Sequence, residues 1–263
     1  MKNHTYKRFL ILGVIFFFAF FIQPLSASAA APKLDLGKYK KGSNYLVLAC
    51  NLRRGTSAPI RSLPSAKSSS LAKLNYSDAI VIDQSLLEAG VKTQWIPVIL
   101  ENKNVTGYVS TAKVRLKVIS MDSFKTGATP YANEAIRYGL KYLGTPYQSG
   151  GNDIKNGICC SALVTKCFRK AGREMPVTYV INQYNACNYI SRRQLKPGDL
   201  VFYRANSRAP YGGLVHVAIY IGNGMILNST GHTGSTYPNG GICIKALSYG
   251  THLASRAIYG RLP

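Results

Sequence analysis

Cys159 and Cys160 open a segment, CCSALVTKCFRKAG, whose apolar spacing fits a helix, and His216 and Asn228 lie twelve residues apart in a later strand-like run. Counted from Cys160, the residues three, four, seven and eight ahead are Leu163, Val164, Cys167 and Phe168, all apolar. Counted from Cys159, the same steps meet Lys166, so only Cys160 lines up with a buried face. A thiol in the first turn of a helix feels the positive end of the macrodipole, and the expectation is a lowered pKa that favours thiolate. The same position is equally read as a small buried hydrophobe, the usual fate of a free cysteine.

His216 begins the run HVAIYI, which passes through Gly222–Gly224 into MILNST, the pattern of a β-hairpin. A three-residue loop sets Ile221 opposite Met225 and His216 opposite Thr230, leaving Asn228 on the histidine's face at diagonal reach. A two-residue loop would send Asn228 to the other face. His232 has the same parity and is the rival partner. A cysteine, a histidine and a polar orienting group are what nucleophilic catalysis needs. The imidazole takes the thiol proton, and the third residue fixes its tautomer. A lone strand histidine is otherwise a structural residue.

Other elements must position these groups. Thr129 as N-cap, Pro130 at the first position and apolar Ala132, Ile136, Leu140 and Leu143 predict a helix of about fourteen residues closing at Gly144. A Gly/Asn-rich loop, GTPYQSGGNDIKNG, leads from it to the cysteines, and LKPGDLVFY reads as a Pro-Gly turn into a strand. Before residue 119, VLACNLRR, AIVID, QWIPVIL and TGYVST are short β-prone runs separated by turn residues, the pattern of a small barrel. Residues 119–129 lack periodicity and read as a linker.

Composition narrows the function classes. The 263 residues carry 33 Lys plus Arg against 10 Asp plus Glu, a formal +23, yet only 16% are charged. Scarce acids rather than basic runs make the imbalance, and no Arg/Lys-rich helix or nucleic-acid motif accompanies it, which argues against nucleic acid. The six cysteines contain no CxxC pair, which argues against a zinc ribbon or a thioredoxin-like motif; pairing among Cys159, Cys187 and Cys243 stays open. Lys2, Lys7 and Arg8, the apolar run Phe9 to Ile22 and the small residues at 26–30 read as a secretory signal cleaved near Ala30. Fourteen helical residues rise about 21 Å, short of the roughly 30 Å hydrocarbon core, so no stable membrane span is expected after cleavage. Losing residues 1–30 removes three bases and no acids, leaving +20. Outside the cell that charge implies salt-sensitive retention by anionic surface polymers.

The motifs LGTPYQSGG (143–151), GICCSALV (157–164), LKPGDLVFY (195–203) and HVAIYIGNG (216–224), in this order, resemble the NlpC-type papain-like cell-wall peptidases. The resemblance implies an α+β papain-like domain over 130–263, a cysteine-bearing helix packed on an antiparallel sheet. It implies Cys160 as nucleophile, His216 as base, Asn228 as third residue, and Tyr147 and Ser161 near the oxyanion or substrate. No cofactor or metal is implied. The implied reaction hydrolyses an amide of the peptidoglycan stem peptide after D-glutamate and before the diamino acid, by a secreted, wall-associated enzyme. An amidase cutting between sugar and first alanine, or a decayed wall-binding protein, are the alternatives. Residues 33–118 resemble a bacterial SH3-like domain, an all-β barrel, with Trp95 and Tyr108 at its aromatic positions; both are also ordinary core residues of such a barrel. The chain departs from the peptidase pattern at Cys159 for the usual Asp, Ala162 for Gly, Ser149 for an aromatic and Asn228 for the commoner His. Gln183 matches a family position or is helix surface.

Overall fold

The computed structural model describes residues 31–100, 104–175, 179–205, 213–249 and 257–263, and the proposed signal, with His4, lies outside them, as does His252. The first half contributes β1 (Leu34–Asp35), β2 (Tyr45–Cys50), β3 (Ala58–Arg61), β4 (Ser70–Leu74), β5 (Asp78–Val81), β6 (Lys92–Thr93), β7 (Trp95–Leu100), β8 (Val105–Ser110) and β9 (Arg115–Ser120). The runs singled out in the sequence fall on β2, β5, β7 and β8. β4, β3, β8 and β7 form one sheet in that order, while β2, β5 and β9 belong to a second.

The second half supplies α1 (Ala132–Leu140), β10 (Asn152–Asp153), β11 (Gly157–Ile158), α2 (Cys160–Lys170), α3 (Val180–Asn185), β12 (Asn188–Ile190), β13 (Leu200–Arg204), β14 (Leu214–Gly222), β15 (Met225–Thr230), β16 (Gly241–Ala246) and β17 (Ile258–Arg261). The strands run β12-β17-β13-β14-β15-β16 and continue through β5, β2 and β9 of the first half, nine in all. The joint is the antiparallel pair β16–β5, with Ile244 opposite Ala79 and Lys245 opposite Asp78. Residues 31–263 therefore form one compact unit. Tyr237 and Cys243 of the second half are buried in the core of the first, and the Tyr237 hydroxyl accepts the Val81 N–H.

One face of the long sheet packs against α1 and α2, burying Leu163, Val164 and Phe168 with Val217, Ile219 and Leu227. The opposite face buries Val201, Tyr203, Ala218 and Ile226. Gly139 permits the close approach of α1: a Cβ there would lie 2.6 Å from Leu227 Cδ2 and 2.9 Å from Cys167 Sγ.

Three expectations are corrected. The first helix has nine residues rather than fourteen: Tyr131 occupies its N-cap, and Thr129 enters only by accepting the Ala132 N–H through its carbonyl. Leu140 ends it because the chain tightens into turns that lead to Gly144 at φ +98°. Residues read as linker are partly regular, since Ile119 and Ser120 end β9 and Met121–Phe124 form a 3-10 turn that buries Phe124. Burial of that phenylalanine in the common core gives the segment an anchor that aperiodic sequence does not reveal.

Candidate active site

Cys160 is the first residue of α2 and is buried, whereas Cys159 is the extended N-cap, at φ −90° and ψ 173°, and is half-exposed. The N-cap side chain makes no capping hydrogen bond; its sulfur lies 3.7 Å from Ser161 Oγ. An aspartate at this position has an oxygen to accept a free N–H of the first turn, and the cysteine leaves that role empty.

The loop before α2 is held at both ends. Ile158 donates its N–H to Pro146 O, and its own carbonyl accepts Ser229 Oγ at 2.7 Å. Tyr147 is clamped by the 231–240 loop: its N–H donates to Ser235 O, and its carbonyl accepts Gly234 N–H. Gly241, at φ +64°, is required where this segment passes, because a Cβ there would lie 2.2 Å from Thr145 O. The Tyr147 hydroxyl is raised above the ordinary tyrosine value, first by burial and then by the nearby Cys160 and Cys159 thiols, with Tyr249 adding to them. Ser149, at the departed aromatic position, lies near the Tyr147 hydroxyl and partly offsets that rise.

His216 is 6% exposed and its Nε2 lies 3.0 Å from Asn228 Oδ1. Asn228 Nδ2 donates to Cys243 O at 3.0 Å, which turns Oδ1 toward the ring. Nε2 must then carry the proton, and Nδ1 is left as the basic nitrogen.

The hairpin that brings the two together corrects the expected loop. Its turn has two residues, Asn223 at φ 48° and Gly224 at φ 72°, both left-handed as a tight type I′ turn needs. A two-residue turn was expected to reverse the face of Asn228, but the register shifts between Tyr220 and Gly222, and Ile221 is the extra residue. Beyond this bulge Tyr220 faces Ile226 and Ile219 faces Leu227, so the register of a three-residue loop is restored. A second irregularity in β14 lies beside the histidine: Tyr203 pairs with His216 and Arg204 with Leu214, leaving exposed Val215 between them.

The thiol and the imidazole are carried by two packed elements, α2 and β14. The Val217 N–H is near the Cys160 sulfur, which sets the thiol against β14. Burial pushes the Cys160 thiol up to about 11, while N–H groups of Val217, Ser161 and Cys160 itself pull it back and Cys159 adds to the rise. This corrects the expected lowering, because loss of water around the sulfur outweighs the helix-terminal field. Burial also takes His216 down to about 4, which the Asn228 bond partly offsets and the Lys245 charge reinforces. The resting pair is neutral thiol and neutral imidazole.

Among the sequence-derived positions, His216 is in contact with Asn228, and Tyr147 lies near Cys160. Ser161 is buried, and its carbonyl accepts Gln183 Nε2 at 2.8 Å. His232 lies exposed on a turn, where its backbone N–H donates to Ser235 Oγ. Gln183 is not helix surface: α3 packs its inner face toward β14 and α2, so the side chain is fully buried and also donates to Thr165 Oγ1. Trp95 and Tyr108 are half-buried and line a cavity of about 360 Å³ with Leu36, Leu87 and Pro97, rather than filling the first-half core. All six cysteines are free thiols. Sequence reading missed Tyr203, Tyr249 and Lys245. The Tyr203 and Tyr249 rings lie 5.8 and 6.2 Å from the His216 ring, and Lys245 Nζ lies 4.9 Å over Tyr249. The signal for Lys245 was a cation inside the apolar run GICIKAL.

Residues 144–247, which span Tyr147, Cys160, His216, Asn228 and Lys245, match the NlpC/P60 family. The C-terminal half carries an NlpC/P60 domain. Over 159 residues the chain is 33% identical to the bifunctional muramidase/DL-endopeptidase CwlT of Bacillus subtilis, covering 59% of this chain and 44% of that protein. It is 33% identical over 129 residues to the peptidoglycan endopeptidase RipB of Mycobacterium tuberculosis, covering 41% of this chain and 51% of RipB. The chain thus spans about half or less of these relatives' length. A crystal structure of an NlpC/P60 family protein from Bacillus cereus is similar at 23% identity and TM-score 0.43, over 85% of this chain and 65% of that one. The NlpC/P60 match begins just before Tyr147 and ends just before Tyr249, so Asp78 lies outside the matched segment.

Proposed function

We propose that the protein is a cysteine peptidase that hydrolyses an amide in the peptidoglycan stem peptide, between D-glutamate and the diamino acid. The observation that carries the reading is the His216 Nε2–Asn228 Oδ1 contact, together with a buried thiol at a helix start, inside an NlpC/P60 domain. Relatives named as DL-endopeptidase and peptidoglycan endopeptidase support the bond class.

The chemistry follows from the neutral resting pair. As the substrate carbonyl reaches Cys160, the S–H proton passes to His216 Nδ1 and the sulfur bonds to the carbonyl carbon. The Cys160 N–H and the Tyr147 hydroxyl stabilise the oxyanion. His216 returns the proton to the leaving nitrogen as the C–N bond breaks, and water, deprotonated by His216, hydrolyses the thioester and restores the thiol. Asn228 holds the imidazolium by accepting its Nε2–H throughout. Excluding water from this buried pair strengthens the contacts that stabilise charge once it forms.

Export through residues 1–30, wall retention by diffuse positive charge and an SH3-like role for the first half belong to the same reading. Digestion of purified muropeptides under reducing conditions tests it. The mature protein should release fragments cut after D-glutamate and Cys160→Ala should release none; cleavage between sugar and alanine, or no cleavage by the intact protein, would overturn it.

A further inference from the structure

Lys245 and Asp78 form an ion pair whose side chains are 4% and 2% exposed, joining β16 of the catalytic half to β5 of the first half. Removing two charges from water is costly, and apolar residues of similar volume are often as stable, so packing alone gives weak reason for the pair. Its place in the fold gives a stronger one. Asn228 Nδ2 donates to the carbonyl of Cys243 and lies 3.6 Å from its sulfur, and Lys245 is two residues further along the same strand, hence on the same face. The Lys245 ammonium stands over the Tyr249 ring, which itself packs edge-on against His216. Through Tyr249 the cation is two contacts from the imidazole, and through Cys243 and Asn228 it is three.

We propose that Asp78, supplied by the first half, is a positioning residue for the peptidase reaction: it anchors Lys245 and neutralises its charge beside the ring that must become an imidazolium. The proposal rests on the Cys160–His216 reading above. Among the described residues the titratable groups set around the histidine are Tyr203 of β13, Lys245 and Cys243 of β16, and Tyr249 beyond that strand. Lys245 is the one permanent cation among them, and Asp78 is its carboxylate partner. Asp78 is itself fixed by N–H groups from Asn75 and the Asn239 side chain, so it holds the ammonium from one side. An uncompensated ammonium opposes proton transfer from the thiol to His216, whereas the pair presents the ring with nearly no net charge.

The test is the pH profile of kcat/KM on a stem-peptide substrate for the full mature chain and its Asp78→Asn, Lys245→Met and Asp78→Asn/Lys245→Met variants. Asp78→Asn should lose about 10-fold in kcat with its acid limb displaced to lower pH. Both variants lacking Lys245 should show the limb displaced upward, by about one pH unit, and the double variant should regain most of the kcat lost in Asp78→Asn. Far-UV circular dichroism confirms folding of each; where Asp78→Asn does not fold, the upward displacement in Lys245→Met decides. Equal losses in all variants with no movement of the acid limb would overturn the proposal and leave the pair a structural bridge. Inactivity of the intact chain, with Cys160→Ala indistinguishable from it, would instead overturn the peptidase reading.

Discussion

Asn228 spends both ends of its amide on fixed partners, Nδ2 on the Cys243 carbonyl and Oδ1 on His216 Nε2, each at 3.0 Å. The asparagine therefore cannot rotate without breaking a buried hydrogen bond, and the imidazole cannot change tautomer without facing an acceptor with a bare nitrogen. This arrangement makes the identity of the third residue a question of which side chain is locked.

Asn228→Ala should lower kcat/KM by at least about 10-fold, because an unoriented imidazole spends less time with Nδ1 toward the thiol. His232→Ala should stay within about 2-fold of the parent, since that side chain is exposed on the turn. Steady-state rates on one muropeptide compare them, and the reverse order would reassign the orienting role to His232.

Reactivity of the two adjacent cysteines separates along the same line. His216→Ala should slow alkylation of Cys160 by iodoacetamide at neutral pH by about 10-fold and leave Cys159 unchanged, because the proposed mechanism makes the imidazole the proton acceptor of Cys160 alone. Peptide mapping by mass spectrometry after timed quenching reads each site. Equal slowing of both would show that the variant loosens the loop.

Stability should carry the mark of the buried histidine. The folded value of about 4 lies below the ordinary 6.5, so the unfolded chain takes up the proton first as pH falls. The contribution of His216 is complete above about 6.5, declines through the window down to about 4 and is absent below it. Between about pH 7 and pH 5 this amounts to roughly 2 kcal/mol. Urea unfolding of Cys160→Ala and of Cys160→Ala/His216→Phe at both pH values isolates it. A parallel fall in the two proteins would show that the histidine titrates normally.

The amino-acid sequence by itself determined which residues could do the chemistry. Helical spacing placed Cys160, and not Cys159, on the inward face of α2, and strand parity put His216 and Asn228 on one face of a hairpin. Such patterns are legible because each involves a few neighbouring residues and one period. Tertiary structure decided the rest, since it depends on groups far apart in the chain. The bulge at Ile221 compensates a two-residue turn, and it is the sheet around it, rather than loop composition, that sets the register. Burial decided that Cys160 and His216 rest uncharged, reversing the expectation from the helix terminus alone. Most distant is the Asp78–Lys245 pair, 167 residues apart in sequence, which exists because β5 and β16 pair edge to edge and make the two halves one sheet. No local pattern encodes that meeting; it follows from closing a sheet edge that neither half covers alone.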